Sequence, residues 1–322
     1  MNLEKSIIAT LSFFDVLELP LKAPQVRQFL IDTEASLEST QKMLDDLTRE
    51  KKIECWYDYY SLVGRGRTLQ NYLVERERVT KRYIGKVKRW RWLLALTPYL
   101  RGAFLVNSVA FGNLEKESDI DFLIITEKNR LWFTRVWLTL LTQIFGLRRH
   151  GQKVAGRFCL SFFASSAALN FEDLALKTAS FPDLPQDPYL LYWIRTVKPV
   201  IGKQTYLDFQ AANAWVKTYL PNLTSFRPET VGSEPTFLIL LGRILETFLE
   251  VTFLGRLFEK IFQLTLKRRT LRKRDQLRDK TGTVITDTIL KFHNQDWRRL
   301  IFDHWLERLN QETGVRRQET DK

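Results

Sequence analysis

Two carboxylates set two residues apart, Asp119 and Asp121, open the apolar run Asp-Ile-Asp-Phe-Leu-Ile-Ile that ends at Ile125. Side chains on a strand alternate with a period of two, so a strand over Asp119–Thr126 turns both carboxylates to one face. Like charges held that close repel, and a cation between them removes the repulsion. Oxygen-only ligands on a short rigid strand suit magnesium (Mg2+), which takes one or two carboxylates and completes its shell with water and substrate phosphates. Upstream, Asn107-Ser108 closes a second apolar stretch, and Gly112 follows it. Ser108 at a helix N-terminus offers N–H groups and a hydroxyl to the triphosphate of a nucleotide. Gly112 lets the backbone pass close to that phosphate or turn sharply. Ser118 is placed to fix the intervening loop by a side-chain bond to backbone. An isolated Asp-x-Asp is a common surface cap on a strand; its combination with Ser108, Gly112 and an apolar strand on each side is far more specific.

The elements that must position these groups read as a mixed α/β unit. Gly102–Asn107 is a short strand, Ser108–Phe111 a turn or helix start, and a loop runs to Ser118. After the strand at Asp119, Leu131–Phe145 is a helix that is apolar nearly all round, and Arg157–Ala164 is the next strand. Ahead of this unit, helices are expected over 3–17, Pro24–Leu30 and Ser36–Glu50, then a Tyr- and Trp-rich hairpin over Ile53–Val63. Three helices and a hairpin resemble a winged helix. The third helix carries Glu38, Asp45, Asp46 and Glu50 beside Lys42 and Arg49. That charge mix suits protein interaction or a structural role better than a DNA backbone.

Residues 67–97 read as a long basic helix with Trp90 and Trp92 near its end, either an RNA- or phosphate-contacting face or a solvated connector. After 170 the pattern is helical: Tyr189–Val197, Gln204–Tyr219, Phe237–Leu266 as one or two helices, and Gln295–Asn310. A polar linker is expected over 222–235 and a frayed tail after Gly314. Arg243, Glu246, Glu250, Glu259 and Lys260 share a face of the Phe237–Leu266 segment. An amphipathic helix of this kind could lie on a membrane, but its mixed charge signs favour packing of that face on the protein core. The run Lys267–Arg274 is strongly basic.

Composition narrows the partners. Across 322 residues, 50 Lys and Arg against 37 Asp and Glu give a net charge of +13, a balance that favours polyanions such as nucleic acid, nucleotide phosphates or an anionic membrane surface. A hydrophobic share of 44% is ordinary for a globular chain and argues against wholesale disorder. The two cysteines, Cys55 and Cys159, make neither a disulfide framework nor a zinc pattern and fit a reducing, cytoplasmic setting. Cys159, inside an apolar run, reads as a small packed hydrophobe. The start of the chain lacks the basic head of a signal peptide, and no run of about 18 uncharged apolar residues marks a spanning helix. His150, His293 and His304 have no metal-ligand spacing. No P-loop, dinucleotide fingerprint or nucleophile elbow is present.

Ser108, Ala110, Gly112, Ser118, Asp119, Ile120, Asp121 and Leu123 together resemble the signature of the polymerase-β-like nucleotidyltransferase superfamily, over Phe104–Thr126 and, with the flanking strands, roughly 99–165. The order of a winged-helix-like head, a basic helix, this motif and a helical tail also resembles a group of little-characterised bacterial proteins. The resemblance implies an α+β fold: a winged-helix-like module at 1–66, a connector helix at 67–98, a mixed-sheet core at 99–170 and a helical C-terminal region at 171–322. It implies transfer of a nucleoside monophosphate from a nucleoside triphosphate to a hydroxyl of RNA, a protein side chain or a small molecule. Asp119 and Asp121 would hold Mg2+, with Ser108, Gly112 and Ser118 around the phosphates. Two positions depart from the pattern. The family's Gly-Ser is Asn107-Ser108 here, and Asn tolerates positive φ better than most residues. The family's third carboxylate, a metal ligand and base, is missing from Arg157-Phe-Cys-Leu-Ser-Phe-Phe. Ser161 there is at best a weak ligand, and Glu115, Glu117, Glu172 and Asp173 are the candidate replacements. Arg148, Arg149, Lys153 and Arg157 could meet phosphate. The missing acid leaves a second reading: a nucleotide- or nucleic-acid-binding protein that keeps the fold without turnover.

Overall fold

The computed structural model describes residues 1–177, 184–222, 230–276, 282–292 and 296–313. Residues 223–229 of the linker expected over 222–235, the tail after Gly314, His293 and the start of the expected last helix lie outside them.

A central strand, β5 (Ile120–Thr126), organises the molecule. Its residues after Asp121 are all buried because helices cover both faces of the sheet. Ile120, Phe122 and Ile124 enter one hydrophobic core, Leu123 and Ile125 another, as a period of two requires. Asp121 shares the face of Leu123 and Ile125. On one side β5 pairs antiparallel with β4 (Leu100–Leu105), which pairs in turn with β7 (Lys198–Ile201). On the other side it pairs in parallel with β6 (Phe158–Ser165), and a hairpin of β8 (Thr283–Ile285) and β9 (Ile289–Phe292) completes a six-stranded mixed sheet. Helix α6 (Leu131–Ile144) spans the connection from β5 to β6.

The chain is therefore α+β with a mixed sheet, as the element pattern implies. The region after 170 is not helical throughout. It supplies β7, β8 and β9 to this same sheet. Lys-Pro-Val-Ile and Thr-Val-Ile are too short to show a period, and tertiary pairing decides them. The helix expected over Gln204–Tyr219 is α8 (Lys203–Ala212) followed by a 3₁₀ turn, Ala214–Thr218. Asn213 separates them; its side chain donates to the Phe209 and Leu169 carbonyls.

The first 62 residues form α1 (Leu3–Val16), β1 (Leu21–Lys22), α2 (Ala23–Phe29), α3 (Leu37–Arg49), β2 (Ile53–Trp56) and β3 (Tyr59–Leu62), with a three-stranded sheet in the order β1-β3-β2. Pro24 sits in the first turn of α2, and Ser36 caps α3 by accepting from the Ser39 amide. This unit shares a core with α7 (Pro188–Thr196) and α11 (Trp297–Thr313). Trp305 of α11 is fully buried and donates its indole N–H to the Ala9 carbonyl (2.8 Å). Asp15, buried on α1, is paired with Arg65 (2.8 Å) and Arg308 (3.1 Å).

The basic helix is α4 (Gly66–Ala95). Three of its polar side chains tie down loops. Arg76, buried, pairs with Glu18 (2.6 Å) and Glu115 (3.0 Å). Tyr83 donates to the Lys116 carbonyl (2.6 Å), and Lys86 to the Gly156 carbonyl (2.7 Å). The loop at Glu115–Lys116 leads to Asp119 and β5, and the loop at Gly156 leads into β6 beside it.

Candidate functional site

The site sits where β4, β5 and β6 end side by side. β4 leads into the single-turn helix α5 (Asn107–Phe111). Asn107 adopts φ 57°, the left-handed region where Asn is better tolerated than most residues. Its side chain then does what a glycine could not. Nδ2 donates to Asp121 Oδ2 (2.9 Å), while Oδ1 accepts from Trp193 Nε1 (2.8 Å) and Tyr189 Oη (3.2 Å). Asp121 is thus oriented by an amide that two α7 aromatics lock in place. Gly112 caps α5 at φ 79°, and a Cβ there would meet open space. The glycine makes a sharp turn with no protein atom close to it. Ser108 is exposed as the second residue of α5, and its carbonyl accepts from Gly112 and Asn113. Ser118 Oγ accepts from the Glu115 amide (3.1 Å), closing the loop before Asp119.

The strand expected from Asp119 begins one residue later, at Ile120. Asp119 precedes it in a half-buried position. The ligand atoms of Asp119, Asp121 and Cys159 nevertheless all lie within 4.8 Å of one another. Among the described residues no third carboxylate joins them; Glu115, Glu117, Glu172 and Asp173 are not in the group. Glu115 is engaged with Arg76. The third position belongs to Cys159, which is paired in register with Asp121 across the parallel ladder. Cys159 is buried as expected, but its sulfur faces the acids rather than packing only on apolar groups. Ser161, the expected weak ligand, lies beyond it with Oγ 3.3 Å from the Cys159 sulfur.

A bulge sets this arrangement. Asp121 pairs with Cys159, but Leu123 pairs with Phe162, so β6 carries one extra residue beside the acid pair. Which β6 side chain meets Asp121 depends on that slip, and sequence alone does not locate it.

The electrostatics are uneven. Burial, and then the charge of Asp119, raise the Asp121 carboxyl to about 6. Burial and the two acids push the Cys159 thiol up, so it is protonated at neutral pH and is neither a hard-metal ligand nor a base. Asp119 has a cationic partner: Arg149 contacts its Oδ2 at 2.7 Å and the Cys159 sulfur at 3.8 Å. Burial alone would lower the Arg149 pKa, but Asp119 and Cys159 together outweigh it and raise it.

Arg149 also lines an open cleft of about 750 Å³ with Arg135, Arg148, Lys273, Cys159 and Ser161. A second cleft of about 870 Å³ shares Arg135, Arg148 and Lys273 with it and adds Arg269 and Arg274. The basic run Lys267–Arg274 is thus part of helix α10 (Leu254–Asp275), not a segment after it, and its inner side faces the cleft. Arg135 stacks over Phe292 (4.0 Å) and has no acid partner among the described residues; burial, with Arg148 nearby, lowers it to about 10. On the other side Asp121, Asn107, Tyr189, Trp193 and Ser161 line a small cavity of about 120 Å³. Of the other expected phosphate contacts, Lys153 is exposed and Arg157 half-buried, and neither lines these spaces.

Asn107, Cys159, Tyr189 and Trp193 are the site residues that sequence reasoning did not assign. The alternation of Cys159 and Ser161 on one strand was the available signal, and its register was not. No protein-family model, curated protein or solved structure matches the chain.

Proposed function

We propose that the chain is a Mg2+-dependent nucleotidyltransferase that moves a nucleoside monophosphate from a nucleoside triphosphate to a hydroxyl acceptor. The carrying observation is the pair Asp119 and Asp121, held within 4.8 Å although burial and mutual repulsion raise the Asp121 pKa. An acid pair kept together against its own repulsion in a cleft marks a functional site more often than a structural one. Two carboxylates fit a hard dication; the protonated Cys159 does not, which leaves its remaining positions to water and phosphate oxygens. Asp119 and Asp121 would hold the ion, which would supply positive charge against that developing at the transferred phosphoryl group. The chain's own residues orient and attract: Asn107 fixes Asp121, and Arg149, Arg148, Arg135 and Lys273 favour a polyanionic substrate or an RNA acceptor. The order strand, single-turn helix, glycine, loop and strand supports the nucleotidyltransferase reading of the core. The order α1-β1-α2-α3-β2-β3 with its three-stranded sheet supports the winged-helix reading of the N-terminal unit. The exposed face of α3 mixes Glu38 and Asp45 with Lys42 and Arg49, which favours a protein-facing role for that unit.

One observation favours the second reading. Cys159 occupies the third ligand position, so no described side chain there is a good general base. A chain of this kind binds Mg2+ and nucleotide and transfers nothing. Labelled nucleoside triphosphates, Mg2+ and RNA or the protein itself as acceptor separate the readings. Covalent label that disappears in Asp121→Asn establishes transfer. Binding without label establishes the second reading. Label unchanged in Asp121→Asn sinks both.

A further inference from the structure

The hairpin of α9 (Thr236–Val251) and α10 is amphipathic in the reverse sense for a surface element. Its acids face inward. Glu246 binds Arg101 (2.6 Å) and the Tyr99 amide (3.0 Å). Glu250 binds Arg130 (2.5 Å), and Glu259 accepts from the Trp132 and Phe133 amides at the start of α6. Glu246, Glu250 and Glu259 therefore pack on the protein core, as the mixed signs of their face imply; Lys260, expected on that face, is exposed, and the opposite face is left outside.

That outer face is apolar. Phe237, Leu240, Leu241, Ile244, Phe248 and Val251 recur at helical spacing along one arc of α9, and all are exposed, Phe237 by 69% and Val251 by 71%. Phe253 continues it at the turn, and Leu257, Phe258, Ile261 and Leu264 along α10, all exposed. Soluble monomers rarely leave a continuous apolar surface of this extent in water. Past Leu264 the same arc of α10 becomes basic. Arg268 and Arg272 are exposed and, like Lys260, make no ion pair with a described residue.

We infer that the outer face of the α9–α10 hairpin docks on an anionic phospholipid surface, with its phenylalanine and aliphatic side chains in the interfacial layer and Lys260, Arg268 and Arg272 against the headgroups. Charge complementarity selects this occupant. An apolar face with basic flanks lies in the plane of an anionic membrane interface. A second copy meeting it through the same face would offer the basic arc one acid near the end of α10, Asp275, which already pairs with Arg274 (3.1 Å). No helix among the described residues is long and apolar enough to cross a membrane, so the hairpin lies on the surface. The inference stands apart from the acid pair and does not depend on transferase activity.

Co-sedimentation with phosphatidylcholine vesicles, with and without phosphatidylglycerol, tests it. The full chain binds the anionic vesicles, and salt weakens the binding. Two variants probe the two halves of the face: Ile244→Glu with Phe248→Glu, and Arg268→Gln with Arg272→Gln. All four positions are exposed, and circular dichroism reports whether the fold is kept. Each double variant partitions about tenfold more weakly. Absence of binding to anionic vesicles overturns the inference. So does equal binding to neutral vesicles that ignores Arg268 and Arg272. Self-association in the ultracentrifuge that Ile244→Glu with Phe248→Glu abolishes, without vesicle binding, overturns it in favour of a second copy.

Discussion

Two acid clusters border the same small cavity, and they are built on opposite principles. In the first, Arg298 donates to Asp187 (2.8 Å) and, through two nitrogens, to Asp296 (2.9 and 2.7 Å). Asp187 also caps α7 by accepting from the Leu190 amide, and Lys291 approaches Asp296. Burial would raise Asp296, but Arg298 and Lys291 together outweigh it and hold its pKa low; Asp187 is still raised by burial. In the second cluster, Asp121 receives one amide from Asn107 and faces another carboxylate. The first cluster joins elements distant in sequence, Leu174 and α7 to α11. The second has one half-exposed cation, Arg149 on Asp119, and none on the more deeply set Asp121. The repulsion therefore falls on Asp121. A tie and a binding site are told apart here by whether the buried carboxylate has a cation of its own.

The largest effect expected from breaking this contrast is at Arg298. Arg298→Ala takes the cation from buried Asp187, leaves Asp296 with Lys291 at 3.9 Å, and costs about 3–5 kcal/mol, read as a lower denaturation midpoint. A loss below about 1 kcal/mol would show that the first cluster is no tie.

Asp121→Asn has the opposite sign. The Asp121 pKa is raised from 3.8 to about 6, so the folded protein holds that proton more tightly than the unfolded chain. The resulting cost is absent below about 4, grows as pH rises through 6 and is complete above it. Asp121→Asn therefore stabilises the metal-free protein by roughly 2 kcal/mol at pH 8 and by nothing measurable at pH 4. Mg2+ should stabilise the wild type above pH 6 and lose this effect as pH falls through 6. A pH-independent change in midpoint would remove the stored repulsion from the account.

The smallest effect on stability is at Arg149, whose pair with Asp119 is half exposed. Arg149→Gln should move the midpoint by under about 1 kcal/mol. It should tighten Mg2+ binding, because Asp119 no longer has a competing cation, and weaken binding of triphosphate or RNA. Titrations of Mg2+ alone and of polyanion alone separate the two. Movement of both affinities in the same direction would contradict the assigned role.

The same physics explains what the sequence made legible. Strand β5 was readable because its apolar run is buried on both faces and its acids stand at one end. The turn at Gly112 and the positive φ at Asn107 followed from residue type. The caps at Ser36 and Pro24 did as well. The short strands β7, β8 and β9 were not readable, because three or four residues carry no period and only the neighbouring edge fixes them. The third member of the site was hidden by the one-residue bulge in β6, which puts Cys159 rather than a more distant side chain opposite Asp121. The roles of Tyr189 and Trp193 depend on a helix more than 80 residues away in sequence meeting Asn107, and only the folded core brings them there. Of the α9–α10 charges expected to face the protein, Glu246, Glu250 and Glu259 do and Lys260 does not. Their consequence, an apolar surface turned outward, needed the burial of every position on the opposite arc.

The central claim is that Asp119 and Asp121 form one divalent-metal and nucleotide-phosphate site. Calorimetric titration of nucleoside triphosphate, with Mg2+ and with it chelated, tests this most directly in the wild type, Asp119→Asn and Asp121→Asn. The account predicts Mg2+-dependent binding in the wild type that falls by more than about tenfold in each variant. Binding of equal strength in all three proteins, or binding indifferent to Mg2+, would contradict it.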